Sequence, residues 1–314
     1  MAIDIDKPAS AALETVCFTG LQPGPRLLVT GAVHGNEICG PQAIARAIDD
    51  CRSGRIAIVR GHVSFVPVVN AKAYRQGTRE GDRNLNRDLR EREIASDNED
   101  LIGNVLCPLL YAHDVLLDIH SFRSRGEPFV FVGPSNNDGP IEPFRLAAAE
   151  RDLARRLGPP LVMFGWLPTY ARAAAARNSD PAEGIGTTEV MRSCGGYGVT
   201  LECGQHNDPQ AAEVAYDAIL RALSHLRLTD AEPPSITAER AIEIVDVVLC
   251  HSAGDRLVRE WRTGDPVKAG EIIATRQDGS PLAAPADGFV IFPHANAYPM
   301  DEMYYFGVTG SVED

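Results

Sequence analysis

The sequence predicts an α/β domain built around a mostly parallel or mixed sheet, followed by a small all-β unit. Three observations predict it. From Arg26 to Leu226 short apolar runs alternate with helix-like stretches, the pattern of strands and helices packed in layers. Residues 229–237, TDAEPPSIT, break that alternation with two prolines and acidic residues, as a linker does. Beyond them come short β-rich runs with frequent Gly and Pro (AIEIVDVVLCH, GDPVKAGEIIATRQDG, PADGFVIFPHAN), the texture of a β unit of roughly 80 residues. The expected division is 1–230 and 231–314.

The elements follow in order. RLLVTGAV (26–33) reads as a buried strand, and CGPQAIARAIDDCRS (39–53) as a helix with Pro41 in its first turn. HVSFVPVVN (62–70), VLLDIHS (115–121), PFVFVG (128–133) and LVMFG (161–165) are strand-like. EPFRLAAAERDLARRLG (142–158) reads as a helix stopped by Gly158 and Pro159. GVTLECG (198–204) is a further strand, and the helix after it has Asp208 as N-cap and Pro209 at its first position.

Composition narrows the function. A formal charge of −13 over 314 residues argues against a nucleic-acid partner, whose phosphates would be repelled. The N-terminal MAIDIDKPASAALETVCF has neither a basic start nor an apolar run, so no leader is expected, and no window approaches the ~18–20 apolar residues of a membrane span. A cytoplasmic protein is expected. Seven cysteines without a CxxC pair fit reduced thiols rather than a zinc ribbon, and Cys39, Cys194 and Cys203 read as small buried apolar residues.

The chemistry concentrates where strands end. TGAVHGNE sets His34 and Glu37 just past a strand, and a His-x-x-Glu pair turns imidazole and carboxylate toward one cation. VLLDIHS adds His120, with Asp118 on the same strand face by period-two alternation and able to accept a hydrogen bond from a ligand imidazole. VTLECGQH carries Glu202, a carboxylate that needs a partner or a job such as general base beside a metal. In open α/β sheets functional groups gather outside the carboxyl ends of the strands, where all four residues fall.

The set HGNE, NAKAYRQGTREGDRNLNR, DIHS and R-x9-E, in that order from Gly31 to Gln205, resembles the succinylglutamate desuccinylase/aspartoacylase family, relatives of zinc carboxypeptidases. The resemblance implies a zinc-carboxypeptidase-like mixed sheet flanked by helices, with a small C-terminal β domain capping the site. It implies one Zn2+ per chain on His34, Glu37 and His120, and Glu202 as the base that activates water. Arg79 falls where the family polarises the scissile carbonyl, Asn86 and Arg87 where it holds a substrate carboxylate, and Arg192 and Tyr298 where it has further substrate contacts. The implied reaction is removal of an acyl group, acetyl or succinyl, from a small acidic or polar amino acid, with no membrane or nucleic acid involved and a homo-oligomer admissible.

Two positions depart from the family pattern. Asn84 stands where close aspartoacylases have aspartate, and Thr188 where they have a tyrosine; both are expected beside the substrate rather than the metal. The arginines also admit a plainer reading, since Arg75, Arg79, Arg83 and Arg87 recur every four residues as on a solvated helix face. The ordered motif favours function for Arg79 and Arg87, while Arg75, Arg83 and Arg90 read as surface charges. VKAGE and AAPADGFV resemble a lipoyl- or biotinyl-type fold, but Lys268 is the only lysine there and none lies between Arg276 and Pro285, so a cap is expected instead of a carrier. Rival functions are a metallocarboxypeptidase or peptidoglycan-type amidase on the same site, and a non-catalytic binding protein.

Overall fold

The structure, a computed structural model, describes residues 12–311. The leader reading therefore falls mostly on residues 1–11, outside the described residues.

The first stretch of chain forms β1 (Val16–Thr19), β2 (Gln22–Gly31), α1 (Cys39–Arg52), β3 (Arg60–Val66), α2 (Ala71–Gln76), α3 (Asn98–Tyr111) and β4 (Val115–Phe122). It continues through β5 (Phe129–Phe131), α4 (Ala147–Ala154), β6 (Leu161–Phe164), α5 (Trp166–Ala176), α6 (Thr187–Ser193), β7 (Tyr197–Gln205) and α7 (Gln210–His225). The last stretch is β8 (Arg240–Leu249), β9 (Arg256–Leu257), β10 (Asp265–Val267), β11 (Ile272–Thr275), β12 (Pro281–Ala283), β13 (Gly288–Ile291) and β14 (Glu302–Thr309).

An eleven-stranded sheet runs β1-β3-β2-β4-β7-β5-β6-β8-β14-β13-β10, and β12-β11-β9 form a separate three-stranded sheet. Strands β3, β2, β4 and β7 are parallel; β5 reverses against β7, and β5, β6 and β8 run parallel to one another. The sheet is thus mixed, as expected. All eight residues of β4 are buried, the condition of a central strand covered on both faces. Alternation assigns the faces. Leu27, Val29, Leu117 and Ile119 pack with Ala43, Ile44, Ala47 and Ile48 of α1 and with α7, while Leu28 and Leu116 pack with Ile102, Leu106 and Leu110 of α3 and Met191 of α6.

Two expectations need correction. The helix expected over 142–158 begins only at Ala147, because residues 142–146 leave the helical path and Glu142 reaches Arg192 instead. The second concerns only the plainer reading of the arginines as one helix face, which Gly77 and Gly81 already weakened: α2 ends at Gln76 and Gly77 turns into the left-handed region at φ 65°. Strand β8 pairs in parallel with β6, so the C-terminal strands extend the main sheet and cover an edge that would otherwise be open. They also carry their own apolar cluster around Trp261, Ile273, Val290 and Phe306. Among the described residues no helix is long and apolar enough to cross a membrane.

Candidate metal centre and active site

The site forms where β2, β4 and β7 end. Past β2 the backbone turns sharply, with buried Ala32 at a positive φ of 47°, a strained conformation for a residue with a side chain. Gly35 then passes so close to α2 that a Cβ would lie 2.0 Å from the Ala73 carbonyl carbon, which is why position 35 takes a glycine. His120 on β4 is the register partner of Glu202 on β7, so the parallel ladder itself sets imidazole beside carboxylate.

His34, Glu37 and His120 are buried and offer ligand atoms that all lie within 4.8 Å of one another. Glu37 takes the centre: its Oε1 is 2.8 Å from His34 Nδ1 and its Oε2 is 2.9 Å from His120 Nδ1. The far nitrogens are also held. His34 Nε2 faces Asn84 Oδ1 at 3.0 Å, and His120 Nε2 faces Asp118 Oδ2 at 2.9 Å. Asp118 is fixed in turn by the Thr30 and Thr187 hydroxyls at 2.6 and 2.5 Å, and Asn84 Oδ1 accepts the Asn86 backbone N–H at 3.0 Å.

The charges show what this arrangement wants. Burial, helped by the Arg79 charge, pushes His34 down to about 4, so its ring is neutral near pH 7. A neutral ring has one proton for two acceptors, Asn84 Oδ1 at one nitrogen and Glu37 Oε1 at the other. Burial resists charge on His120 too, but Asp118 and Glu37 outweigh it and hold His120 well above the ordinary histidine range. Burial also works against the Glu37 anion, yet the two imidazoles hold that carboxyl well below its usual range. Two Nδ1 atoms and a carboxylate turned on one point are a donor set for a divalent cation, with Asn84 and Asp118 as the outer partners that orient imidazole ligands. The residues fit Zn2+.

Glu202 adjoins this cluster. It is buried, and its Oε2 has no hydrogen-bond partner among the described residues. Burial, opposed by His120 and reinforced by Glu37, pushes its carboxyl up to about 8. Arg79 Nη1 donates to Glu37 Oε1 at 3.1 Å, and the Ser121 backbone N–H donates to Glu37 Oε2, also at 3.1 Å. All of these groups line a cavity of about 570 Å3, a volume suited to a small organic molecule.

The remaining expected site residues divide. Asn86 and Arg87 line the cavity; the Asn86 amide oxygen accepts the Thr187 N–H at 2.9 Å, which leaves its NH2 for a ligand. Arg87 lies over the Trp166 and Tyr170 rings, donates from Nη1 to the Asn86 carbonyl at 2.7 Å and makes no ion pair among the described residues. Arg192 also lines the cavity, but its donors are spent. Its guanidinium gives hydrogen bonds to both oxygens of Glu150, to Glu142, to Glu189 and to the Gly198 carbonyl. No N–H is left to grip a substrate carboxylate, so the substrate contact expected of it is corrected to a buried structural charge. Tyr298 is corrected as well: it is 75% exposed, on a turn whose own N–H is tied to Asp301, and it does not line the cavity. Tyr305 on β14 lines it instead.

Asn84 and Thr188 both line the cavity, and Asn84 in addition stands one hydrogen bond behind His34. Asn84→Ala is expected to weaken metal retention about 10–100-fold in chelator competition, the usual effect of losing a ligand's supporting partner. Retention equal to the parent would show that His34 needs no such support. Sequence reading missed Ser121, whose hydroxyl is 2.9 Å from His206 Nδ1, along with His206, Arg123 and Tyr305, all on the cavity wall. For His206 the signal was present, three residues beyond Cys203 at the end of the same strand as Glu202.

A family model described as the succinylglutamate desuccinylase/aspartoacylase catalytic domain matches residues 23–226. Among solved structures, the chain is similar to a succinylglutamate desuccinylase/aspartoacylase from Rhodobacter sphaeroides (18% identity, 95% of this chain and 89% of that chain, TM-score 0.74). It is similar also to a succinylglutamate desuccinylase from Silicibacter sp. (20%, 95% and 89%, TM-score 0.73) and to the product-bound ectoine utilization protein EutE from Ruegeria pomeroyi (22%, 94% and 88%, TM-score 0.70). At these identities the likeness is one of fold. No curated protein matches the chain by sequence.

Proposed function

Because this chain belongs to the succinylglutamate desuccinylase/aspartoacylase family, we propose that it is a zinc-dependent deacylase that hydrolyses the amide bond of a small N-acyl amino acid, of N-acetyl or N-succinyl type. The observation that carries this reading is the convergence of His34, Glu37 and His120 beside a buried Glu202 oxygen that lacks a partner. One Zn2+ would be held by Nδ1 of each histidine and by the Glu37 carboxylate, and when bound it supplies Lewis acidity toward water and the scissile carbonyl.

The chain's own residues do the rest. Glu202 Oε2 accepts the proton of the attacking water and passes it to the leaving amine, the work of a general base and then acid. Arg79 supplies positive charge where the carbonyl oxygen becomes negative. Arg87 and the Asn86 NH2 grip the substrate carboxylate and fix the amide against Glu202. In this division residues 1–230 carry the chemistry, and residues 231–314 close one wall through Phe292, Met300 and Tyr305. A wall of that kind admits a small substrate and excludes a long peptide.

The test is release of free amine from N-acetyl and N-succinyl amino acids by zinc-loaded protein, with short peptides alongside. Turnover of the acyl amino acids alone is expected. Cleavage of peptides alone would instead support the carboxypeptidase or amidase reading, and no turnover with no retained zinc the binding-protein reading. Removing the metal with a chelator is expected to abolish amine release, and added Zn2+ to restore it. Full activity in rigorously metal-stripped protein would sink the zinc assignment.

A further inference from the structure

One wall of the cavity has no part in the chemistry above. Phe131 on β5, Trp166 and Tyr170 on α5, Phe292 after β13 and Tyr305 on β14 all line it. Their ring centroids lie 5.9 Å apart for Phe131–Trp166, 5.1 Å for Trp166–Tyr305, 5.7 Å for Trp166–Tyr170, 6.0 Å for Phe131–Phe292 and 6.4 Å for Phe292–Tyr305. These are the separations of packed aromatic pairs. In a chain with only 6% aromatic residues, five on one cavity wall form a built apolar surface.

Two further observations point that wall at a ligand. Tyr305 is 3% exposed, and its hydroxyl has no hydrogen-bond partner among the described residues. Buried hydroxyls ordinarily find one. Burial, reinforced by Glu302, holds this phenol well above its usual ionisation range despite the nearby Arg87 charge, so it remains a hydrogen-bond donor. At the edge of the wall Arg87 sits over Trp166 and Tyr170 without an ion pair among the described residues, while the neighbouring Arg177 is tied to Glu302 at 2.9 Å. Arg192 is fully engaged by glutamates, and Arg123, which feels the Arg79 charge, is held against His294. Among the described residues, Arg87 is thus the cation over these rings that has no ion pair, with its Nη1 donating to the Asn86 carbonyl at 2.7 Å.

We propose that this aromatic wall is the subsite for the amino-acid side chain, and that the preferred substrates are N-acyl amino acids with an aromatic or large apolar side chain. The α-carboxylate sits on Arg87 with the Tyr305 hydroxyl donating to it, and the side chain lies against Trp166, Phe131 and Phe292. An acidic side chain in that place would shed its water against the rings while Arg87 is already taken by the α-carboxylate. The inference rests on the deacylase reading and narrows its substrate class away from the acidic amino acids that the family's name suggests.

Two measurements test it. With zinc-loaded wild-type protein, kcat/KM for N-acetyl-phenylalanine is expected to exceed that for N-acetyl-aspartate by about tenfold or more, the scale on which an apolar pocket discriminates. Separately, titration calorimetry on zinc-loaded Glu202→Gln reads binding without turnover, and the same order of affinity is expected. Trp166→Leu should shrink the phenylalanine-to-aspartate ratio in both assays, mainly through KM. Tyr305→Phe should weaken both ligands several-fold and leave their ratio unchanged.

A preference for N-acetyl-aspartate in either assay overturns the subsite and leaves the deacylase reading standing. Absence of hydrolysis of any N-acyl amino acid overturns the deacylase reading, and the calorimetry alone then decides the subsite: binding of N-acetyl-phenylalanine weakened by Trp166→Leu supports it, and no binding overturns it. Should Trp166→Leu fail to fold, the two comparisons that keep Trp166 still decide.

Discussion

Replacing Glu202 by glutamine is expected to lower kcat by about 10²–10⁴-fold, the usual contribution of a positioned general base, while zinc retention stays unchanged. The side chain keeps its size and loses only the ability to take a proton. Near-normal turnover in Glu202→Gln would remove this residue from the mechanism. Because only the ionised carboxylate accepts a proton, kcat/KM should rise with pH along an acidic limb. In the protein without zinc burial places the Glu202 carboxyl near 8, and a bound cation, favouring the anion, draws it lower. The limb is therefore expected between the ordinary carboxyl value of 4.5 and about 8, and it should vanish from the residual activity of the glutamine variant.

The same shift bears on stability. In the folded chain the Glu202 carboxyl holds its proton more tightly than in the unfolded chain. The stability this contributes is present below the unfolded value of 4.5 and is lost as pH rises through about 8. Glutamine cannot ionise and escapes that loss. In chelator-stripped protein the Tm of Glu202→Gln should match the parent at acidic pH and exceed it increasingly toward pH 8. A gap that narrows with rising pH would contradict the raised carboxyl.

Arg192→Leu should be the most destabilising single change in the cavity wall, costing about 3–5 kcal/mol, the loss expected when one member of a buried ion cluster is removed. Arg192 is 4% exposed and holds Glu150, Glu142 and Glu189 together, so its removal strands three buried carboxylates in one place. Burial already pushes Glu142 up to about 7 with the arginine present. Thermal or denaturant unfolding reads the effect. A freely available substrate clamp would behave otherwise, with KM rising and Tm nearly constant. That result would return Arg192 to the role its motif implies.

Much of the fold was legible because its signals are local. The apolar run of β4 and the 3–4 spacing of α1 follow from the periodicity of one segment, and α7 lies within a residue or two of its expected bounds, though Pro209 rather than Asp208 stands at its N-cap. Helix α6 was not legible, because TTEVMRS is short and its burial is set by neighbours on β7, α3 and β4 rather than by a strong pattern of its own. Pairing of β8 with β6 was equally hidden, since an edge strand's partner depends on which edge the chain meets after a linker.

By itself the sequence determined which polar side chains come together. His34, Glu37, His120 and Glu202 follow apolar strands, and a parallel ladder carries the ends of such strands to one rim whatever lies between them. Only the tertiary structure decided how the surrounding charges are spent: that Asn84 backs His34, that Arg192 is consumed by Glu142 and Glu150 from 50 and 42 residues away, and that Tyr305 rather than Tyr298 faces the cavity. The reason is that a long polar side chain is claimed by whichever partner reaches it in three dimensions, and no periodicity along the chain encodes that competition.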